Sequence, residues 1–218
     1  MNGQIKFQPE DKNNLYWQPE NKINYSHFQS ESKENCDKNK EKYGFKMSAN
    51  IQLEYAIDVP KSNLFKKKEK AIAYDKLYLA PIFCKNCSCI LSEDSLELVV
   101  YQLLFDVAEM CSRDIRKELL ETRKIMNVDN LNSVLFLTVK GKWEEKMLKI
   151  WGSIFKEVLI QKKEGAFQEW RKAVDENLKA KIDYSTQEND IKRLIFEKPI
   201  EEGYKIPKSI IGDFKGKD

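Results

Sequence analysis

The sequence predicts an all-α fold: a short, a long and a short helix in the middle of the chain, further helices behind them, and a disordered tail in front. Three observations carry this. Apolar residues Leu96, Val99, Val100, Leu103, Leu104, Val107, Met110, Cys111, Ile115 and Leu119 recur mostly at three- and four-residue steps, with no glycine or proline among them. Two more amphipathic runs follow within residues 141–198. Residues 1–46, in contrast, are rich in Asn, Gln, Lys, Glu and Ser and show no sustained periodicity.

The elements follow in order. Within the polar tail stand isolated aromatics, Tyr16, Trp17, Tyr25 and Phe28, candidates for a short docking motif. Residues 47–74 form a linker. It holds a short strand over 49–59, where the pattern partly alternates, and the basic knot Lys66-Lys67-Lys68, a candidate nucleic-acid or import contact. A short helix is expected over 75–86. Ser92-Glu93-Asp94 then offers side-chain oxygens to the free amides of a long helix over 94–123. After Arg123-Lys124 and the extended Ile125 to Val128, Asp129 or Asn130 caps a third helix that Gly141 stops. Trp143, Met147, Ile150, Trp151, Ile154 and Phe155 mark the next helix, and Phe167, Trp170, Val174, Leu178 and Ile182 the one after Gly165. Pro199, Gly203 and Pro207 end ordered structure and leave a flexible tail over 199–218.

Composition bounds the function. Charged residues make up 33% and hydrophobic ones 41% of 218 residues, enough for one core with extensions. The formal net charge is only +3, from 38 Lys+Arg against 35 Asp+Glu, too balanced for a chain that wraps nucleic acid. No apolar run approaches the ~18 residues of a membrane span. The five cysteines, an odd number behind a polar start, point to free thiols in a reducing compartment.

Ala80-Pro81-Ile82, Ser92-Glu93-Asp94, Arg123-Lys124 and Asp129-Asn130-Leu131 follow one another in an order that, over residues 75–140, resembles the histone-fold family. Ala80-Pro81-Ile82 is similar to the opening of the first helix in archaeal-type histones, and Ser92-Glu93-Asp94 to the start of the central helix. Arg123-Lys124 resembles the second loop, and Asp129-Asn130-Leu131 the start of the third helix. Two departures stand out: Asn130 takes the place of an aspartate that commonly clamps the loop arginine, and Ile90-Leu91 stand where DNA-wrapping members carry a basic residue. The pattern therefore looks more like the TBP-associated subunits of TFIID- and SAGA-type assemblies. The resemblance implies a non-catalytic, nuclear subunit that heterodimerises with another histone-fold protein inside a larger transcription or chromatin complex. The partner interface would use Leu96, Val100, Leu103, Leu104, Val107, Met110, Leu131 and Leu135, and Arg123 and Lys124 would give weak contact with DNA.

Other chemistry has thinner support. Cys84, Cys87 and Cys89 have thiolate-site spacing but need a fourth ligand for zinc, with Cys36, Cys111 or the single histidine, His27, as the candidates. A zinc-stapled scaffold is thus a weaker alternative, and the expected cofactor is none. With one histidine in the polar tail and no Gly-rich phosphate loop, nothing in the sequence calls for an enzyme. Residues 141–198 also suit a homeodomain-like three-helix unit, with Lys192 and Arg193 towards a DNA groove. The competing expectation is a helical cap that packs the tryptophans onto the fold.

Overall fold

In the computed structural model, which describes residues 7–61, 75–126 and 133–207, helices and sheets share the fold. The order is β1 (Asn14–Tyr16), α1 (Glu34–Tyr43), β2 (Met47–Ser48), β3 (Ile51–Pro60), β4 (Lys76–Cys84), β5 (Cys89–Ile90), α2 (Ser95–Met126), α3 (Ser133–Ile154), α4 (Ala166–Ala180), α5 (Glu188–Phe196) and β6 (Tyr204–Lys205). A four-stranded antiparallel sheet runs β1-β4-β3-β6, and β2 pairs with β5 in a second, two-stranded sheet. The expectation of an all-α histone fold is therefore overturned, and with it that of a disordered tail, over its described part, residues 7–46.

The decisive segment is 76–84. Read as a short helix, it is the central strand β4, paired with β3 from Asp58↔Lys76 to Ile51↔Phe83 and with β1 through Asn14↔Cys84, Leu15↔Phe83 and Tyr16↔Ile82. Alternate residues of β4 enter two different cores. Leu79 and Phe83 join the large core formed with α2, while Ala80 and Ile82 pack with Tyr16, Ile191 and Leu194, on the side of α5. A strand covered on both faces loses its polar alternation and reads as one apolar run, which periodicity alone does not separate from a buried helix.

Pro81 fits the strand because of where β1 ends. In a strand the amide and carbonyl of one residue point to the same neighbour, and the Pro81 carbonyl accepts from Trp17 N (3.0 Å), just past β1. The missing N–H thus falls at the end of the shortest neighbour, not on the long ladder with β3. Two positions back, side chains take the place of a strand. Arg116 of α2 donates to the Leu79 carbonyl, and the Asp190 carboxylate accepts from the Leu79 amide.

The expected tail is built into this sheet. Leu15, Trp17, Ile23, Phe28 and Phe45 are buried in the large core, and Tyr16 in the smaller one. The Phe28 ring meets Phe83 edge-on at 5.1 Å. Helix α1 stops at Gly44, whose left-handed backbone (φ 77°) lets its amide return to Lys40 O at 2.9 Å.

Helix α2 matches the expected long helix. Asp94 Oδ1 accepts from the amides of Leu96 and Glu97, each at 3.1 Å, so the acidic start caps as read. Its Glu97 carboxylate in turn takes the amides of Lys46 (2.8 Å) and Met47 (2.9 Å), fixing β2 beside the helix. Helix α3 runs through Gly141, contrary to the expected stop, and passes into a π-helical turn over Phe155–Ile160. Leu131, Asp129, Asn130 and the basic knot at 66–68 lie outside the described residues. Among the described residues, no helix is long and apolar enough to cross a membrane.

Candidate ligand-binding cleft

Helix α2 carries a second pattern within its apolar one. Asp106, Glu109 and Arg113 are spaced by three and four residues, so they share one face, and all three are buried. Buried charges need partners, and each has them. Asp106 accepts from Trp17 Nε1 (2.8 Å), Gln102 Nε2 (3.0 Å) and Arg171 Nη1 (2.5 Å). Glu109 accepts from Arg113 Nε (2.8 Å) and from Thr186, amide at 2.9 Å and hydroxyl at 2.6 Å. Arg113 also donates to the Leu178 carbonyl, and its guanidinium lies 5.3 Å from the centre of the Trp17 ring.

These contacts draw three remote segments together: the stretch after β1, the middle of α2 and the end of α4. Between them lies a cleft of about 520 Å³. Trp17, Pro19, Leu178 and Ile182 supply apolar wall. Arg171 stands beside it, with Nη2 on Asp175 Oδ1 (2.5 Å). Burial works against its charge, but Asp175 and Asp106 outweigh that and hold its pKa above the ordinary arginine value. The two remaining cations of the wall, Lys22 and Lys179, are exposed and have no ion-pair partner among the described residues. Both carboxylates of the wall, Asp106 and Asp175, are bound to Arg171. The cleft therefore offers unspent positive charge around an apolar surface.

The residues chosen from sequence lie elsewhere. Val100, Leu103, Leu104, Val107 and Met110 are buried in the large core, covered by this chain's own sheet and helices. Leu135 is half-buried against the same core, and among the described residues of this set only Leu96 is exposed, at 41%. Most of the residues assigned to a histone-fold partner are thus already covered within the chain. Arg123 is half-buried and Lys124 exposed at the end of α2. Arg193 points inward, donating through Nε (2.9 Å) and Nη2 (2.7 Å) to buried Asp58 on β3, and Lys192 pairs with Glu188. Neither suits a DNA groove, so the homeodomain-like alternative has no basic surface on α5.

Of the five cysteines expected as free thiols or zinc ligands, four are paired, Cys36 with Cys89 and Cys84 with Cys87, and Cys111 is free and buried. Among the described residues, no group of three or more His, Cys, Asp or Glu is placed to hold a metal ion. His27 accepts the Asn24 amide at Nδ1 (3.1 Å). Burial, then the Lys85 charge, push its pKa down, so it serves as a neutral turn-holder. Comparisons with protein-family models, curated proteins and solved structures found no match to this chain.

Proposed function

We propose that this chain is a binding protein whose cleft takes a small organic anion with an apolar body. The observation that carries this is a pair of lysines with no ion-pair partner among the described residues, Lys22 and Lys179, on a wall of Trp17, Pro19, Leu178 and Ile182. A volume of about 520 Å³ lies in the range of ordinary small-molecule sites. The ligand's charge would meet the lysines at the mouth, and its apolar part would lie on Leu178 and Ile182. Trp17 is held by Asp106 and Arg113, so the wall is formed before a ligand arrives, which lowers the ordering cost of binding.

The test uses two probes of one shape, 1-naphthoate and the neutral 1-naphthalenemethanol, titrated by calorimetry and tryptophan emission. The expected result is binding of the carboxylate at least roughly tenfold tighter, the value of one charge-assisted contact. In the double variant Lys22→Ala, Lys179→Ala that preference disappears while the alcohol's affinity stays. Equal affinity for the two probes, or no binding of either at millimolar concentration, overturns the proposal.

A further inference from the structure

The two disulfides differ in everything except their bond. Cys36–Cys89 joins α1 to β5 across a separation of 53 residues, and both residues are buried. Cys84–Cys87 closes a turn of separation 3 at the end of β4, with Cys84 buried and Cys87 on the surface.

The short turn is held by much besides its disulfide. The Cys84 amide donates to Asn50 O (2.9 Å), and the Lys85 amide to Asn13 O (2.7 Å). The Lys85 carbonyl accepts from Gln29 N (3.0 Å) and Ser88 N (3.2 Å). Ser88 Oγ donates to Cys84 O (2.6 Å) while accepting from Asn50 N (2.9 Å). The Lys85 side chain, 7% exposed, donates to Glu10 Oε2 and to Asp11 O, each at 2.7 Å. With these eight backbone and side-chain hydrogen bonds in and around it, opening the sulfur bond leaves the turn in place.

We propose that Cys84–Cys87 is a reversible thiol–disulfide exchange site for an external dithiol, and that Cys36–Cys89 is a permanent staple. Access decides the direction of attack. A thiolate of the dithiol attacks the exposed Cys87 sulfur, and the Cys84–Cys87 bond breaks. Cys84 leaves as a thiolate and takes a proton from water. The second thiol of the reagent, deprotonated, then attacks its partner sulfur in the mixed disulfide and releases Cys87, which is protonated in turn. Two electrons and two protons pass to the protein, and the dithiol becomes a cyclic disulfide. The reverse sequence reoxidises the pair.

The native protein is equilibrated in stepped ratios of reduced to oxidised dithiothreitol, alkylated, and mapped by peptide mass spectrometry, with far-UV circular dichroism on each sample. The expected outcome is labelling of Cys84 and Cys87 at a ratio at least roughly tenfold lower than Cys36 and Cys89 require, with an unchanged spectrum. Simultaneous opening of both bonds, or opening only with loss of the fold, overturns the proposal. The order of attack has its own test with oxidised glutathione. Cys84→Ser leaves Cys87 on the surface and is expected to gain one glutathione; Cys87→Ser leaves Cys84 buried and is expected to gain none. The opposite pattern overturns the assignment of Cys87 as the attacked sulfur.

Discussion

The sheet end and the helical end of this molecule solve one problem by different chemistry. Each must hold segments far apart in sequence against a common core. At the sheet end α1 is tied to β5 by a buried disulfide, Cys36–Cys89. At the helical end α5 is tied to β3 by a buried ion pair, Arg193 on Asp58, and α2 to the loop before α5 by Glu109 on Thr186. A covalent tie acts mainly by restricting the unfolded chain and needs nothing from its surroundings. An ionic tie acts in the folded state and depends on both charges being present, because either one alone is buried without compensation. The sheet end thus rests on one buried covalent bond, and the helical end on two charges that must both be present.

The largest effect expected from breaking this division is at the ion pair. Arg193→Ala leaves Asp58 buried and unpaired, so a loss of about 3–5 kcal/mol is expected in urea unfolding. The apolar double replacement Asp58→Leu, Arg193→Met should recover much of it. If the double variant is no better than the single, the pair contributes more than charge compensation and the comparison fails.

Next in size is the long disulfide. A bond spanning 53 residues restricts the unfolded chain by about 4 kcal/mol on the loop-entropy estimate, against about 1.6 kcal/mol for a span of 3. Cys36→Ala, Cys89→Ala should therefore lower the urea midpoint well below that of Cys84→Ser, Cys87→Ser. Comparable losses from the two pairs would remove the distinction between staple and exchange site. Cys111 is a built-in control: burial, then the Asp114 charge, push its thiol up to about 12, so it stays unlabelled until the chain unfolds.

The smallest effect sits where the two ends meet. Asp94 caps α2 and takes Lys46 Nζ at 2.9 Å. Asp94→Ala is expected to cost about 1 kcal/mol, the usual value of an N-cap. Hydrogen bonds from Lys46 and then from the Glu97 amide hold the Asp94 carboxyl below its ordinary value. Its contribution is therefore fully present above the ordinary aspartate value and is lost as pH falls through the lowered folded one. Urea midpoints of the wild type and of Asp94→Ala should converge in acid, and a constant gap would show that the cap does not act through its charge.

Some of this was legible in the sequence. The alternation at 49–59 gave β3, and Ser92-Glu93-Asp94 with its three-and-four spacing gave α2, because in both cases one face is polar and the other apolar. β4 was misread because both of its faces are buried, which erases the period that separates strand from helix. The aromatics of residues 15–28 looked solvated because a polar sequence surrounds them; the sheet and α2 that bury them come much later in the chain. The cleft had a signal that went unused, namely Asp106, Glu109 and Arg113 inside the apolar stripe of α2. Charges at buried helical positions call for partners, and those partners, Trp17, Arg171 and Thr186, lie between 65 and 89 residues away from the charges they meet. No local pattern reports such pairings, and the union of Cys36 with Cys89 was hidden in the same way.

One small arrangement beside β4 has a wider effect. Because β1 is only three residues long, the first half of β4 presents main-chain groups with no strand alongside. Arg116 on the Leu79 carbonyl and Asp190 on its amide occupy that margin, and Pro81 has no donor to offer there. A stray extended segment from another molecule would find the main-chain groups of Leu79 taken, with a largely covered charge pair to displace before it could add to the sheet. In crowded solution that makes the exposed flank of β4 a poor template for aggregation.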